Sequence, residues 1–270
     1  MNNRNSKTLA TALFLATLPF VVTLYRVRAQ EVEIPDWTYD GTGGPGPESW
    51  FEDYPTCGAG TEQSPINIQP PKGDDDDDDE LQFNYEPTPL VVLNNGRVVE
   101  VEYEAGNTLT LDDDDDETFE LLQFHFHTGS EHLIAGNRAE AEAHLVHESE
   151  EGEIAVVGIF IESGEESDIL SNILANVPDE GEKMEVEGIE VDASDLLPAN
   201  RDFYKYPGSF TTPPCTEGVT WLVFESPIEA SDEQIEQLSN VFTFANYRPT
   251  QPLNDREVQL IEVDNNDDDD

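Results

Sequence analysis

Residues 123–127 alternate polar and aromatic side chains, and this alternation constrains the fold more than any other stretch of the sequence. In a β-strand successive side chains point to opposite faces, so a strand here places Gln123, His125 and His127 on one face and two phenylalanines on the other. The two imidazoles then lie about 6.6 Å apart along one face, from which they can converge on one ion. The segment therefore predicts a strand that carries two metal ligands.

A third ligand is expected from residues 139–147, which alternate in the same way. On a strand, Glu142, His144 and Val146 share one face and small or apolar residues occupy the other. Three neutral imidazoles leave the fourth position of a tetrahedral zinc ion open, which is typical of a catalytic site. Ordinary surface histidines are the alternative, but a His-x-His with polar neighbours on its face and a third histidine nearby favours the metal.

Polar residues accompany the three predicted ligands. A metal-bound histidine normally donates its second ring N–H to an oriented acceptor, and Gln123 and Glu142 each lie two residues from a ligand on the ligand face. We therefore expect these two residues to orient the ligands. All five histidines of the chain fall between His125 and His147, and the two outside the ligand set, His132 and His147, are expected to be buried and hydrogen-bonded.

The remaining pattern is one of short strands. Turn signals such as Asn94-Asn95-Gly96 separate apolar or alternating runs at 89–93, 98–103, 118–126, 141–146, 154–161 and 219–224. Helices are expected only at 168–176 and 231–242, the second opened by a capping box of Ser231 and Gln234. At 270 residues the chain suffices for one domain, so we predict a single-domain, mainly β fold with a few short helices.

The N-terminus has the composition of a secretory signal peptide. Arg4 and Lys7 precede an apolar run of about eighteen residues, and small residues suited to cleavage follow. An uncleaved anchor is the alternative, because the run approaches membrane-spanning length and two arginines stand directly behind it. We expect 1–29 to be a signal peptide, 30–262 the folded domain and 263–270 an acidic tail, in a protein that is secreted, periplasmic or extracellular.

The charge of the chain is extreme. Sixty acidic residues stand against 12 basic ones, four of them in the predicted signal peptide, and the rest carries a formal charge of −52. Such a field repels polyanions, so we expect no nucleic-acid partner and, beyond an N-terminal anchor, no membrane contact. It also destabilises the compact state through repulsion between carboxylates. At about 1 M salt the screening length falls to about 3 Å and this repulsion largely disappears, so we expect a saline environment.

Three acidic runs stand out, at 74–80, 112–117 and 267–270. They fall between predicted strands or at the end of the chain. Solvated loops with weak cation binding are expected there, and a calcium site is the alternative, although uninterrupted runs lack the spaced ligands of a calcium loop. Acidic residues are also abundant outside the runs, which favours adaptation to salt over local ion binding.

Two cysteines, Cys57 and Cys215, lie far apart in the sequence. In an exported chain one long-range disulfide is the simplest interpretation. Two free buried thiols are the alternative.

Several longer stretches form motifs beside the histidines. They are Gln63-Ser-Pro-Ile-Asn-Ile68, Gln123-Phe-His-Phe-His-Thr-Gly-Ser-Glu-His132, Glu142-Ala-His-Leu-Val-His147, Tyr206-Pro-Gly-Ser-Phe-Thr-Thr-Pro-Pro-Cys215, Trp221, and Asn246-Tyr-Arg-Pro249 with Gln251-Pro-Leu253. Each resembles a signature of the α family of carbonic anhydrases, and they stand in that family's order. The resemblance covers roughly residues 36–262. The family often has tryptophan in place of Tyr247, a change that affects nothing catalytic.

The resemblance implies a central twisted, mostly antiparallel sheet with a cone-shaped cleft and Zn²⁺ at its base, held by His125, His127 and His144. It also implies zinc-dependent, reversible hydration of carbon dioxide to bicarbonate and a proton. In this chemistry zinc lowers the pKa of its bound water to about 7, the established value for carbonic anhydrase, and the resulting hydroxide attacks CO2. Carbon dioxide and bicarbonate are then the small-molecule partners, and a homodimer is compatible with the family.

The same resemblance gives roles to residues outside the ligand set. Thr211 is expected to accept a hydrogen bond from the hydroxide and to donate its own proton to Glu131, while Thr212 contacts bicarbonate. The CO2 pocket is expected to be lined by Val146, Val156, Phe210, Val219 and Trp221. The resemblance also supports a Cys57–Cys215 disulfide, because secreted relatives have a bridge at these places that holds the active-site loop.

One departure from the family concerns proton transfer. Faster members carry a proton-shuttling histidine after Asn-Asn-Gly, where this chain has Arg97. An arginine stays protonated at any working pH and cannot relay a proton. We therefore expect proton release to depend on solution buffer or on a nearby carboxylate such as Glu100.

Three other functions compete with this interpretation. A non-catalytic relative that has lost a zinc ligand is disfavoured, because all three ligands are present together with Glu131 and Thr211. An acidic calcium-binding or carbonate-mineral-binding protein on a carbonic anhydrase body would have its acidic residues concentrated in repeats, whereas here they are spread along the chain. A different zinc hydrolase is disfavoured by the absence of the helical His-Glu-x-x-His motif.

Overall fold

The computed structural model describes residues 30–31, 33, 36–70, 80–112 and 117–263. The predicted signal peptide and, apart from their flanking residues, the three acidic runs lie outside the described residues. Within the described ranges no helix combines the length and the apolar character that crossing a membrane requires.

Strands dominate the described part of the chain. They are β1 (Gln30–Glu31), β2 (Asn67–Ile68), β3 (Glu80–Asn84), β4 (Thr88–Asn94), β5 (Val99–Glu102), β6 (Thr108–Asp112), β7 (Glu117–Thr128), β8 (Leu133–Ile134), β9 (Ala141–Ser149), β10 (Ile154–Ser163), β11 (Glu182–Val191), β12 (Phe203–Ser209), β13 (Glu217–Phe224), β14 (Ile228–Ala230) and β15 (Gln259–Ile261). The helices are α1 (Trp50–Asp53), α2 (Thr56–Ala59), α3 (Asp168–Leu174) and α4 (Asp232–Val241), with one 3-10 turn at Ala193–Leu196. The mainly β fold is confirmed, and every predicted strand and helix is present.

One large twisted sheet of thirteen strands forms the body of the molecule. Its main order is β1-β11-β4-β5-β7-β9-β10-β13-β12-β15, with β3 and β6 attached beside β7 and β14 beside β10. Strand β10 runs parallel to β13 and β14, and the other described pairs in this sheet are antiparallel. The predicted mostly antiparallel sheet is therefore correct, and β7 and β9 lie adjacent at its centre.

The two faces of this sheet bury different clusters because side chains alternate along each strand. Phe124, Phe126, Ala143 and Leu145 face the larger core, which helices α3 and α4 cover. The opposite face carries the three candidate ligand histidines and a smaller apolar cluster around Trp221. The site therefore lies on the face away from α3 and α4.

Candidate active site

Strands β7 and β9 bring the three predicted ligands together. In the antiparallel register His125 lies directly opposite His144, and His127 lies opposite Glu142. One ring nitrogen from each of His125, His127 and His144 lies within 4.8 Å of the other two. The three rings contact one another, with centroids 4.6 to 5.3 Å apart. The period-two alternation of both strands thus converges on a single point.

Each of the three histidines has a hydrogen-bond acceptor on its outer ring nitrogen. Gln123 Oε1 lies 2.9 Å from Nδ1 of His125, and Glu142 Oε1 lies 2.8 Å from Nε2 of His144. For His127 the acceptor is the backbone carbonyl of Asn246, 2.6 Å from Nδ1. Because carbonyl and carboxylate oxygens take the outer N–H, the inner nitrogen of each ring keeps its lone pair for a ligand. Nothing in the sequence predicts the Asn246 acceptor, since a backbone carbonyl has no residue signature.

Burial keeps the rings of His125 and His127 neutral. It lowers the pKa of His125 well below the ordinary value, and the neighbouring imidazoles lower it further. Burial also lowers the pKa of His127, against the opposing attraction of Glu131. Neutral imidazoles are the form that binds a metal.

The residues present fit one zinc ion. Nε2 of His127 is buried and has no hydrogen-bond partner among the described residues, as a ligand atom aimed at an ion would have. Three imidazole nitrogens form the donor set of the catalytic His₃ zinc site. A second group, His132, Glu142 and His144, also lies within metal-binding distance, but its atoms already satisfy one another through hydrogen bonds. The inward face of His125, His127 and His144 is therefore the group that could hold a metal ion.

His132 supports His144 indirectly, through the carboxylate of Glu142. Its Nδ1 lies 2.6 Å from Glu142 Oε1, and its backbone N–H donates to Glu142 Oε2 at 2.8 Å. Nε2 of His132 lies 2.6 Å from the hydroxyl of Tyr206. Burial would raise the pKa of Glu142, but His132 and His144 outweigh it and hold that pKa well below the ordinary value. Glu142 is therefore an ionised carboxylate shared by two imidazoles.

His147 lies on the opposite face, as expected for a residue outside the ligand set. Its ring is fully buried and stacks on Tyr85, whose hydroxyl lies 2.6 Å from Nε2. Nδ1 of His147 faces the carbonyl of Ala155 at 3.3 Å. Burial lowers the pKa of His147 to about 4. This histidine belongs to the core and not to the metal site.

Glu131 is fully buried beside the histidines. Its Oε1 accepts the backbone N–H of Arg248 at 2.6 Å, and its Oε2 lies 3.5 Å from Nε2 of His127 and 4.0 Å from Nδ1 of His144. Oε2 has no hydrogen-bond partner among the described residues. Thr211 is also buried, and its hydrogen bond to Glu131 stays a prediction.

The five residues predicted to line the CO2 pocket share one apolar cluster. Val146, Val156, Val219 and Trp221 are buried there, and Phe210 packs against them from the 210–212 loop. The ring of Trp221 contacts His144 at a centroid distance of 4.8 Å, so this apolar cluster adjoins the ligand site. The half-buried Thr212 follows on the same loop, and its carbonyl accepts the backbone N–H of Cys215 at 2.9 Å.

A disulfide joins Cys57 to Cys215, with Cα atoms 5.1 Å apart. Of the two interpretations of the cysteines, the bridge is therefore the correct one. The side chain of Gln63 adds a hydrogen bond from Nε2 to the carbonyl of Cys215 at 3.0 Å. Together these contacts tie the loop that carries Thr211 and Thr212 to the N-terminal part of the domain.

Arg97 stands where faster family members carry the shuttle histidine, and its side chain forms several contacts. Nη1 of Arg97 donates to the carbonyl of Gly96 at 2.7 Å, Nε donates to the carbonyl of Trp37, and the guanidinium lies 5.9 Å from the Trp37 ring centroid. Glu100, on β5, is the in-register neighbour of His125 on β7. Burial and the nearby Glu102 raise the pKa of Glu100 to about 7.

Comparison with known proteins gives the family. The sequence profile of the eukaryotic-type carbonic anhydrases matches residues 45–262. A carbonic anhydrase of Nostoc sp. is 44% identical over 230 residues, which cover 83% of this chain and 85% of that protein. The chain belongs to the carbonic anhydrase family of enzymes.

Solved structures agree with this assignment. The α-carbonic anhydrase of Thermovibrio ammonificans, solved in complex with the inhibitor sulfanilamide, is 39% identical with a TM-score of 0.77, covering 83% of this chain and 98% of that one. The α-carbonic anhydrase of Photobacterium profundum is 38% identical with a TM-score of 0.72, covering 83% and 99%. The likeness therefore extends over nearly the whole of each relative.

Proposed function

We propose that this chain catalyses the zinc-dependent, reversible hydration of carbon dioxide to bicarbonate and a proton. The observation that carries the proposal is the convergence of one ring nitrogen each from His125, His127 and His144, each with an acceptor on its outer nitrogen. Three imidazoles leave one corner of a zinc tetrahedron for solvent. Membership of the carbonic anhydrase family supports the same reaction.

Zinc held by these rings would supply the nucleophile, since it lowers the pKa of water in its open position to about 7, the established value for carbonic anhydrase. The protein contributes orientation. Gln123, Glu142 and the carbonyl of Asn246 each fix one ring, and the buried carboxylate of Glu131 lies beside two of them. Thr211 passes a hydrogen bond toward Glu131, and Thr212 binds bicarbonate on the same loop.

Substrate selection follows from the chemistry of the pocket wall. Carbon dioxide is small and apolar, so it binds against the buried side chains of Val146, Val156, Val219 and Trp221, with Phe210 from the loop. Bicarbonate is charged and gains nothing from this wall. The pocket therefore favours release of the product into water.

The proposal is tested by stopped-flow CO2 hydration with the purified protein, before and after removal of metal by a chelator. We expect activity in the zinc-loaded protein, its loss with the chelator and its recovery when zinc is added. A His144→Ala variant should lose both zinc and activity, whereas His147→Phe should retain both because His147 lies on the opposite face. Full activity in the metal-free protein would contradict the proposal.

We infer further that the enzyme is exported to a saline environment, after cleavage of residues 1–29 or anchored through them. Sixty acidic residues among 270 support this inference. The few basic residues that the structure describes are engaged in contacts: Arg248 and Arg256 are buried, Lys183 pairs with Glu102, and Arg138 covers the Tyr247 ring. The melting temperature should rise steeply between 0.1 and about 1 M NaCl because salt screens carboxylate repulsion. A flat salt response would contradict the inference.

The calcium-binding or mineral-binding alternative is not favoured. The relatives reported above are carbonic anhydrases, and this chain covers most of the length of each. The three histidines that fit a catalytic zinc ion are also present. Calcium titration in molar salt separates the two functions, since screened surface carboxylates take up calcium only weakly. Saturable calcium binding under those conditions would support the alternative.

A further inference from the structure

Arg248 is a buried arginine whose guanidinium binds neutral groups. Its side chain donates to the carbonyls of Ser64 at 2.7 Å and Cys57 at 2.9 Å, and to Oε1 of Gln63 at 2.9 Å. Within the described ranges it forms no ion pair with a carboxylate closer than 4.0 Å, although it is only 2% exposed. Burial lowers its pKa to about 10, against the opposing attraction of Glu131, so it remains charged at neutral pH. Burying a charge whose side-chain hydrogen bonds all reach neutral groups is costly, so a role beyond packing is expected of this arginine.

The backbone around Arg248 touches the metal site at two points. Its own N–H donates to Oε1 of Glu131 at 2.6 Å. Two residues earlier, the carbonyl of Asn246 accepts from Nδ1 of the ligand His127 at 2.6 Å. We call residues 246–248 the closing segment. It therefore orients both a ligand and the carboxylate beside it through backbone atoms alone.

Other contacts hold the closing segment at its two remaining residues. The Asn246 side chain accepts from Thr128 N at 2.7 Å and donates to the carbonyl of Phe126 at 3.0 Å. Arg138 places its guanidinium 4.0 Å from the centroid of the Tyr247 ring. That ring packs so closely on Gly129 that an added Cβ would lie 2.9 Å from it. Arg248 supplies the third anchor, and its side chain is buried.

We propose that Arg248 is a positioning residue for CO2 hydration: its guanidinium fixes the closing segment so that the segment's backbone sets Glu131 and His127. This inference rests on the proposed function. Catalytic groups must stay within about 0.5 Å of their productive geometry, and a displacement of about 1 Å costs on the order of 100-fold in rate. The N–H of Arg248 and the carbonyl of Asn246 are backbone groups, so their positions depend on the contacts that hold this backbone in place.

The test compares Arg248→Lys and Arg248→Met with wild type, using Arg256→Lys as the matched control. Arg256 is also a buried arginine near the C-terminus and donates to backbone carbonyls, including Gln63 O at 2.9 Å and Pro207 O at 3.0 Å. Its hydrogen bonds reach neither a ligand nor Glu131. Four readouts are measured in molar salt: melting temperature, zinc affinity by chelator competition, kcat and KM for CO2, and the pH profile of kcat/KM.

We expect all three variants to lower the melting temperature. The Arg248 variants should in addition bind zinc about 10-fold more weakly or worse and lose kcat and kcat/KM together, as expected when an interaction made in the transition state is lost. Their pH profile should shift, because Glu131 and His127 no longer hold fixed orientations. Arg256→Lys should keep the zinc affinity, kcat and pH profile of wild type.

Variants of Arg248 that match Arg256→Lys in every readout would overturn the inference and leave Arg248 a purely structural residue. If they do not fold, Arg138→Gln decides, because it loosens Tyr247 of the same closing segment from an exposed position. This variant should weaken zinc binding and lower kcat about 2-fold to 3-fold. Unchanged zinc affinity and kcat would mean that the closing segment does not position the site, and would overturn the inference. A wild-type protein that neither binds zinc nor hydrates CO2 would instead overturn the proposed function itself.

Discussion

Replacing Glu142 by glutamine should weaken zinc binding because the carboxylate serves three donors at once. Its Oε1 faces the imidazole N–H of His132 and of His144, and its Oε2 accepts the backbone N–H of His132. A glutamine has one oxygen. If that oxygen replaces Oε1, the new NH₂ group points at the backbone N–H of His132, and if it replaces Oε2, the NH₂ group points at two imidazoles. Either orientation leaves at least one buried donor unsatisfied.

The magnitude follows from the same contacts. An unsatisfied buried donor costs about 1–3 kcal/mol of folding free energy. Loss of the charged acceptor that orients His144 should weaken zinc affinity by about 10-fold to 100-fold, which is about 1.4–2.7 kcal/mol. Zinc affinity is measured by competition with a chromophoric chelator, and folding by circular dichroism in the same molar-salt buffer. The control is Glu148→Gln on the same strand, whose exposed side chain should leave zinc affinity unchanged.

Zinc affinity in Glu142→Gln within 2-fold of wild type would refute this reasoning. It would mean that His144 keeps its orientation without the carboxylate. An equal loss in Glu148→Gln would point instead to a general effect of removing one negative charge from the protein.

The remaining predictions concern proton transfer, acid stability and the disulfide. Because Arg97 cannot relay protons, the hydration rate at low buffer should rise with imidazole concentration, and a flat response would contradict this. A steeper imidazole dependence in Glu100→Gln would show that Glu100 carries part of the proton transfer. Burial lowers the pKa of His147 to about 4, so the unfolded state binds more protons than the folded state between about pH 6.5 and 4. The unfolding free energy should therefore fall as the pH drops through that window, by up to about 3 kcal/mol from this group. Denaturant unfolding of wild type and His147→Phe at several pH values measures it, and equal pH slopes would contradict it. Replacing Cys57 and Cys215 by serine should lower unfolding free energy by about 4–5 kcal/mol from loop entropy, and a loss below about 1 kcal/mol would contradict that estimate.

The central strands could be predicted from the sequence because each has one face in a core. The alternation of Gln123 to His127 and of Ala141 to Val146 fixes which side chains share a face, and the register brings the two histidine sets together. The capping box of Ser231 and Gln234 also forms as predicted, with both hydrogen bonds present. Local chemistry decides these elements, so local sequence reveals them.

Strand β11 could not be predicted in this way. Half of its residues Glu182–Val191 are charged, and a register shift between Glu185 and Glu190 interrupts its pairing with β4. The strand pairs with β4 on both sides of this shift and with β1 at its start, so its position depends on the assembled sheet and not on the segment alone. Strands with little burial carry little hydrophobic signal of their own.

The site was predictable in its side chains but not in its backbone contacts. His125, His127 and His144 and the acceptors Gln123 and Glu142 lie where the alternation of two strands predicts them. The carbonyl of Asn246 and the N–H of Arg248 reach the site from more than a hundred residues away along the chain. Any residue type carries such groups, so only the fold reveals them.

X-ray absorption at the zinc edge of the purified, zinc-loaded protein observes the proposed ligand set itself. We expect one zinc per chain with three imidazole nitrogens at about 2.0–2.1 Å and one oxygen from solvent, and one imidazole fewer in a His127→Ala variant. A fourth ligand from a protein side chain, or a spectrum that His127→Ala leaves unchanged, would contradict it.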